Sequence, residues 1–385
     1  MAQFFVSCPL NFEEYLVQEM KSFWFEMMDL DGQPTRSLFP DYEKWPGGIE
    51  FETDDHLGYQ INFFSKLANR VLIRIAKFEA RYFDQLEKEL GKVPLEKWLE
   101  PQDIKVKVEH HKSRLNHEKN IIEAITNTLS KKKFKIVPNI SEGPVIVYFR
   151  IDKDRVTMSL DTSGDHLHRR GYAQFRGEAP LRENLAAMMV RQLMNKTTLD
   201  QNLWVIDPFV GSGTILFEIA TARQASLKRD YSWFKFLNRP KLFKSESWIK
   251  NYRWFASTAT IKMVGIDFDE KAIDNLKRNQ QLLAEKFPQT KLDIETERSD
   301  SADFDLTPYR DHNNVWLISN PPYGHRLDEG EARSIIERFA NEGLLAGAIV
   351  LHPESWKFNF QSLRLSSQLD FKNQGLKLKL SVFTP

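Results

Sequence analysis

Apolar and polar positions alternate between strand-like and helix-like spacing over the first 160 residues, then settle into strands each followed by a helix. Phe4-Phe5-Val6-Ser7-Cys8 reads as a short strand. Phe12, Tyr15, Leu16, Glu19 and Met20 follow a helical rhythm with apolar residues on one face. Pro34, Pro40, Pro46 and Gly47-Gly48 predict a long connection before a strand at Ile49-Glu50-Phe51-Glu52. A helix is predicted over 54–66, then a strand at Arg70-Val71-Leu72-Ile73-Arg74-Ile75. Ile104-Lys105-Val106-Lys107-Val108 alternates strictly, which predicts a half-buried strand with its lysines outward. Ile121, Ile122, Ile125 and Leu129 mark an amphipathic helix over 118–130. Two further strands, 145–149 and 156–160, flank a turn at Asp152-Lys153-Asp154.

Beyond residue 160 the predicted strands are 204–206, 261–266, 291–295, 315–319, 348–352 and 376–383. Alternation of buried strands with helices predicts an α/β domain whose mostly parallel sheet carries helices on both faces. The first 160 residues, α+β in pattern and without a catalytic constellation, are expected to bind rather than to react.

Composition changes this picture little. The chain has 385 residues, 41% hydrophobic and 28% charged, which fits two or three globular domains. It shows no apolar run of roughly 20 residues and no amino-terminal signal, so a cytoplasmic protein without membrane association is expected. Cys8, the single cysteine, makes neither an internal disulfide nor a zinc cluster, and no metal is expected. A net charge of +1 decides nothing about nucleic acid, because clustering matters more. Basic residues do cluster, at Lys105, Lys107, Lys112, Arg114 and Lys119, at Lys131-Lys132-Lys133, and at His168-Arg169-Arg170. The lysine triplet also suits the negative end of the preceding helix.

Four segments carry chemistry. A strand ending in Val205-Ile206 runs into Asp207-Pro208-Phe209-Val210-Gly211-Ser212-Gly213-Thr214 and then a helix. In a parallel sheet such a turn lies where ligands bind, and Asp207 can accept a bond from a cationic ligand group. The turn lacks the spacing of dinucleotide and triphosphate loops. Val264-Gly265-Ile266 ends in Asp267-Phe268-Asp269, and Asp267 is placed to hold ribose hydroxyls. The gap from Asp207 far exceeds the usual roughly 20 residues, so 224–260 is an insertion, rich in aromatics that either stack bases or pack. Ser299-Asp300-Ser301 follows the third strand, where a side chain could recognise an adenine amino group. Fourth, the strand 315–319 ends in Asn320-Pro321-Pro322-Tyr323. The prolines fix φ and remove donors, so the Asn320 side chain and a backbone carbonyl can accept both hydrogens of an exocyclic amine. Tyr323 offers a ring to an unstacked base.

These residues resemble the Rossmann-fold methyltransferases, with Asp207 to Thr214 as the cofactor loop and Asn320 to Tyr323 as the amino-methylating motif. More narrowly they resemble the THUMP-domain RNA guanine-N2 methyltransferases, near the large-subunit ribosomal RNA enzymes. Asp161-Thr162-Ser163-Gly164-Asp165 with Leu167 to Tyr172 is similar to that family's joining segment, and Ala179-Pro180-Leu181-Arg182-Glu183-Asn184 to its cofactor-side helix start. Asn320 to Gly324 followed by Arg326 is similar to its Asn-Pro-Pro-Tyr-Gly-x-Arg. The resemblance implies a ferredoxin-like piece at 1–48, a THUMP RNA-binding domain at 49–164, a connector at 165–180 and the methyltransferase domain at 181–385. It implies S-adenosylmethionine as cofactor, held also by Arg182, Glu183, Asn184, Phe268, Asp300 and Ser301. RNA would meet the basic clusters and Arg326, with a monomer as the expected state. His325 stands where an acid is common in the family. The second methyltransferase domain of some relatives does not follow, so one methylation is expected rather than two.

The tetrapeptide alone also fits adenine N6 methylation or glutamine methylation. Ribosomal and transfer RNA both stay open as substrates, as does an inactive RNA-binding assembly factor. Gly324, Arg326 and the lysine-bearing amino-terminal half tilt the expectation to guanine in structured RNA, and the resemblance implies guanine N2 and favours ribosomal RNA.

Overall fold

The computed structural model describes residues 1–138, 144–177, 180–244, 248, 261–323, 329–342, 345–373 and 375–385, with backbone alone at 329, 372 and 373. The chain divides into two compact units, Met1–Leu167 with Leu227–Arg253, and His168–Ser226 with Trp254–Pro385.

The first unit holds β1 (Ala2–Ser7), α1 (Glu13–Phe23), β2 (Tyr42–Trp45), β3 (Gly48–Thr53), α2 (Asp55–Phe64) and β4 (Arg70–Glu79). There follow α3 (Phe83–Lys92), β5 (Asp103–His111), α4 (Glu118–Lys131), β6 (Lys135–Ile136), β7 (Val145–Asp152) and β8 (Arg155–Asp161). Its strands form one eight-stranded sheet in the order β2-β3-β1-β4-β8-β7-β5-β6. The strict alternation of β7 buries Val145, Val147, Phe149 and Ile151, and α4 buries Ile121, Ala124, Ile125, Thr128 and Leu129 at helical spacing.

The expected boundary at 48/49 falls inside this sheet. β1 is an interior strand that pairs antiparallel with β3 and β4, so both of its edges are satisfied only by strands that extend beyond residue 48. β2 lies within the stretch expected to be a connection, since four residues without clean alternation give no strand signal.

The insertion also lies differently from a simple decoration of the catalytic half. Leu227–Arg253 belongs to the first unit, where Tyr231, Trp233, Phe243 and Trp248 are buried. Trp233 stacks on Tyr59 at 5.0 Å and Trp248 on Phe63 at 5.1 Å, while Tyr231 donates its hydroxyl to the Asn62 carbonyl at 3.1 Å. These aromatics pack rather than wait for bases. Their packing explains why every residue of α2 after Asp55 is buried, a helix covered all round. Residues 245–247 and 249–260 of the insertion lie outside the described residues.

The second unit holds α5 (Glu183–Met194), β9 (Trp204–Asp207), α6 (Thr214–Ala220), β10 (Lys262–Asp267), α7 (Glu270–Lys286) and β11 (Asp293–Arg298). It continues with β12 (Val315–Ser319), α8 (Glu329–Glu342), β13 (Gly347–Pro353), β14 (Arg364–Asn373) and β15 (Leu376–Thr384). The seven strands run β11-β10-β9-β12-β13-β15-β14, parallel from β11 to β13 and antiparallel for the last two. Strand β12 is buried at all five positions, as a central parallel strand must be. The order reverses between β9 and β12, which opens a crevice at their carboxyl ends. No helix among the described residues is long and apolar enough to cross a membrane.

Candidate active site

The crevice between the ends of β9 and β12 holds a cavity of about 780 Å³ within the second unit. Its wall brings together Asp207, Phe209, Gly211, Ser212 and Thr214 from the loop after β9, Asp267 and Phe268 after β10, and Asn320 and Pro322 after β12. Gly211 takes φ +53°, and a Cβ there would meet nothing within 4 Å, so the loop stays open toward the cavity. Gly213 serves packing instead. At φ +88° its Cβ would lie 2.9 Å from the Phe217 ring, and Gly213 does not line the cavity.

Two carboxylates organise the loop. Asp207 Oδ1 accepts from the Ser319 hydroxyl at 2.7 Å and from the Phe209 amide at 3.1 Å. Burial pushes its pKa up to about 7, against the pull of those two bonds, with Asp267 adding to the rise. Asp267 accepts the Gly211 amide on Oδ2 and the Asp269 amide on Oδ1, each at 3.0 Å. Burial likewise raises its pKa. Asp269 caps α7 by accepting the Lys271 amide at 2.9 Å.

A smaller cavity of about 150 Å³ shares Phe209, Asp267 and Phe268 with the first and adds Asp300, Ser301, Glu331 and Ile335. Phe268 is 64% exposed, an apolar ring with little covering it. The Ser301 hydroxyl is committed to the Pro208 carbonyl, so Ser301 fixes the loop and Asp300 is the more available polar group. Across the crevice, Asn320 Oδ1 is buried and has no hydrogen-bond partner among the described residues.

Residues 170–357 match the family model UPF0020, an RMKL-like methyltransferase domain. This segment is similar to that family of methyltransferase domains. The chain is 31% identical over 351 residues to a ribosomal RNA large subunit methyltransferase K/L of Syntrophotalea carbinolica, across 86% of this chain and 46% of the relative. It is 27% identical to the same-named protein of Cellvibrio japonicus, across 99% and 51%. The chain thus spans about half the length of the curated relatives it matches. Among solved structures, SMU.472, a putative methyltransferase complexed with SAH, is similar with a TM-score of 0.76 at 21% identity, covering 100% of this chain and 98% of that one. A predicted N6-adenine-specific DNA methylase from Listeria monocytogenes reaches 0.74 at 23% identity, covering 98% and 95%. The fold is that of a Rossmann-like methyltransferase.

Not every expected residue lines this cavity. Arg182, Glu183 and Asn184 are not among the lining residues; Glu183, buried at the start of α5, pairs with Arg176 at 3.0 Å. In their place Arg176, Gly177, Pro180 and Leu181 form a wall, and Lys271, Ala272 and Asn275 of α7 another. An aromatic, a cation and a glycine in a row at Phe175-Arg176-Gly177 is the available signal, hidden because 165–180 reads as a connector. Pro321 is buried and Tyr323 half-buried beside Asn320. Gly324, His325 and Arg326 lie outside the described residues.

The basic residues separate into two kinds. Lys112, Arg114, Lys119, Lys131, Lys133 and Arg169 are exposed, Arg114 donating to the Tyr82 hydroxyl at 2.6 Å. Lys105, Lys107 and His168 are half-buried. Lys107 leans over the Tyr148 ring, and burial lowers its pKa. Lys132 is tethered to the Val93 carbonyl at 2.7 Å and to Glu96. Arg170 is not a surface group at all. It is buried against Glu218, with Nε and Nη2 donating to the two carboxylate oxygens at 2.7 and 3.0 Å. A guanidinium so desolvated and paired is unavailable to a phosphate.

Proposed function

We propose that this chain transfers a methyl group from S-adenosylmethionine to the exocyclic N2 of a guanosine in structured RNA, in large-subunit ribosomal RNA and in the cytoplasm. The observation that carries the proposal is the buried Asn320 Oδ1, without a partner among the described residues, on the wall of a cavity that the Asp207–Thr214 loop also lines. A buried acceptor left unpaired costs about 1–3 kcal/mol, and an amine N–H arriving beside it removes that cost.

The residues present fit the cofactor. Phe209 and Phe268 border a small cavity suited to a planar base, with Asp300 beside it. Asp267 keeps lone pairs beyond its two backbone bonds for ribose hydroxyls, and Gly211 leaves the loop without a side chain in the way. When bound, S-adenosylmethionine supplies a methyl group on a positively charged sulfur.

Asn320 Oδ1 and the Pro321 carbonyl accept the two amine hydrogens, holding the nitrogen so that its lone pair faces that methyl. Tyr323 supports the base. With the cofactor bound, Asn320 and Pro321 would hold the nitrogen for methyl transfer, and the proton it loses would pass to solvent. Catalysis is then mainly positioning, which is worth roughly 7–11 kcal/mol when reacting atoms are prealigned. The THUMP and ferredoxin-like expectations for the first unit belong to the same proposal, with the exposed Lys112, Arg114, Lys131 and Lys133 meeting the RNA backbone. The name of the relatives favours ribosomal RNA over transfer RNA.

Changing Asn320 to alanine is expected to abolish turnover while calorimetric binding of the cofactor stays nearly intact. Retained turnover overturns the role of Asn320. Mass spectrometry of ribosomal ribonucleosides from a deletion strain is expected to show loss of N2-methylguanosine. Loss of N6-methyladenosine instead would reassign the base.

A further inference from the structure

The cofactor proposed above is a zwitterion at its amino-acid end, and the cavity needs a cation for the carboxylate. Among the described lining residues the cations are Arg176 and Lys271. Lys271 opens α7 beside Asp267 and Asp269, the end proposed for the ribose. Arg176 comes from a different wall, at the close of a segment pinned by two buried anchors.

The first anchor is Glu218 on α6, which accepts both Arg170 bonds and the Tyr172 hydroxyl. The second is Asn279 on α7, fully buried, whose Oδ1 accepts the Gln174 and Phe175 amides at 3.1 and 3.0 Å. Its Nδ2 donates to the Phe175 carbonyl at 2.7 Å and to the Ser212 carbonyl at 3.3 Å. One amide therefore ties the residue before Arg176 directly to the glycine loop.

The Arg176 guanidinium is itself oriented. Nε donates to the Ala173 carbonyl and Nη2 to Glu183 at 3.0 Å, while Nη1 makes no bond among the described residues. The side chain is 38% exposed although it lines the cavity, so a charged donor is held in place with hydrogens unspent. A guanidinium is suited to a carboxylate by charge and by its planar donors.

We propose that Arg176 binds the carboxylate of the cofactor's amino-acid end, with Asn279 and Glu218 acting as positioning residues that hold its segment against the glycine loop. This rests on the S-adenosylmethionine reading of the same cavity.

The test is calorimetry on the full chain with two ligands, S-adenosylhomocysteine, which carries the carboxylate, and 5′-methylthioadenosine, which lacks the amino-acid end. Arg176→Ala is expected to weaken S-adenosylhomocysteine by about 10-fold or more, as for loss of a hydrogen bond to a charged group, and to leave 5′-methylthioadenosine within about twofold of the unaltered chain. Arg176→Lys is expected to recover part of the affinity, since it restores charge without the fork. Unchanged S-adenosylhomocysteine affinity in Arg176→Ala overturns the proposal. An equal weakening of both ligands also overturns it, because it marks damage to the whole cavity rather than removal of one ion pair. If the unaltered chain binds neither ligand, the cofactor reading itself fails, independently of Arg176.

Discussion

Ser319 donates its hydroxyl to Asp207 Oδ1 at 2.7 Å, joining the ends of β12 and β9 where their loops part to form the cavity. The glycine loop and the Asn-Pro-Pro-Tyr turn are thereby referred to one buried carboxylate. Removing the hydroxyl leaves that oxygen with the Phe209 amide alone. Ser319→Ala is expected to cost about 1–3 kcal/mol in urea denaturation, and to raise the Asp207 pKa further. Unaltered stability would show that the bond does not hold the loop.

Asp207 makes stability depend on pH in a stated direction. Folded, it ionises at about 7 because burial disfavours its charged form. Unfolded, it ionises near the usual value of about 4. Between these values the folded chain holds a proton that the unfolded chain has released. The contribution is therefore fully present below about pH 4 and falls as pH rises toward 7, by at most about 1.4 kcal/mol per pH unit. Asp207→Asn removes this fall, so the stability of the variant relative to the unaltered chain is expected to rise between about pH 5 and 7. Parallel curves would contradict it.

The insertion is a structural part of the first unit. Trp233 is fully buried, stacked on Tyr59 and packed beside Phe63 and Phe243. Trp233→Ala is expected to destabilise by about 3–5 kcal/mol. A destabilisation under about 1 kcal/mol, nearer the range of ordinary surface changes, would mean that the insertion is dispensable to that core.

The proposed RNA contact is expected to separate the exposed lysines from the tethered one. Replacing Lys131 and Lys133 by alanine is expected to weaken RNA binding in filter assays and to lower the salt slope by about one for each phosphate no longer neutralised. Lys132→Ala is expected to act on stability instead, by releasing the Val93 carbonyl and Glu96. Equal salt slopes in all three variants and the unaltered chain would remove the lysine triplet from the RNA surface.

Local pattern and motif are sufficient for the parts of this protein that are contiguous in sequence. Strand β12 is legible to the residue because a central strand buried on both faces must be apolar throughout, and the proline pair marks its end. The Asp207–Thr214 loop and Asp267 are legible because a turn between strand and helix constrains its own residues. What only tertiary structure decided are relations between distant segments. Arg170 reads as a surface cation beside Arg169, yet the partner that buries it, Glu218, lies 48 residues on. Arg176 reads as connector, yet Asn279, 104 residues from Phe175, brings its segment to the glycine loop. The aromatics of the insertion read equally as base platforms or as core, and α2, far earlier in the chain, makes them core. Charge and hydrophobicity are properties of a residue, whereas burial and pairing are properties of its neighbours, and the neighbours that decide this site come from elsewhere in the chain.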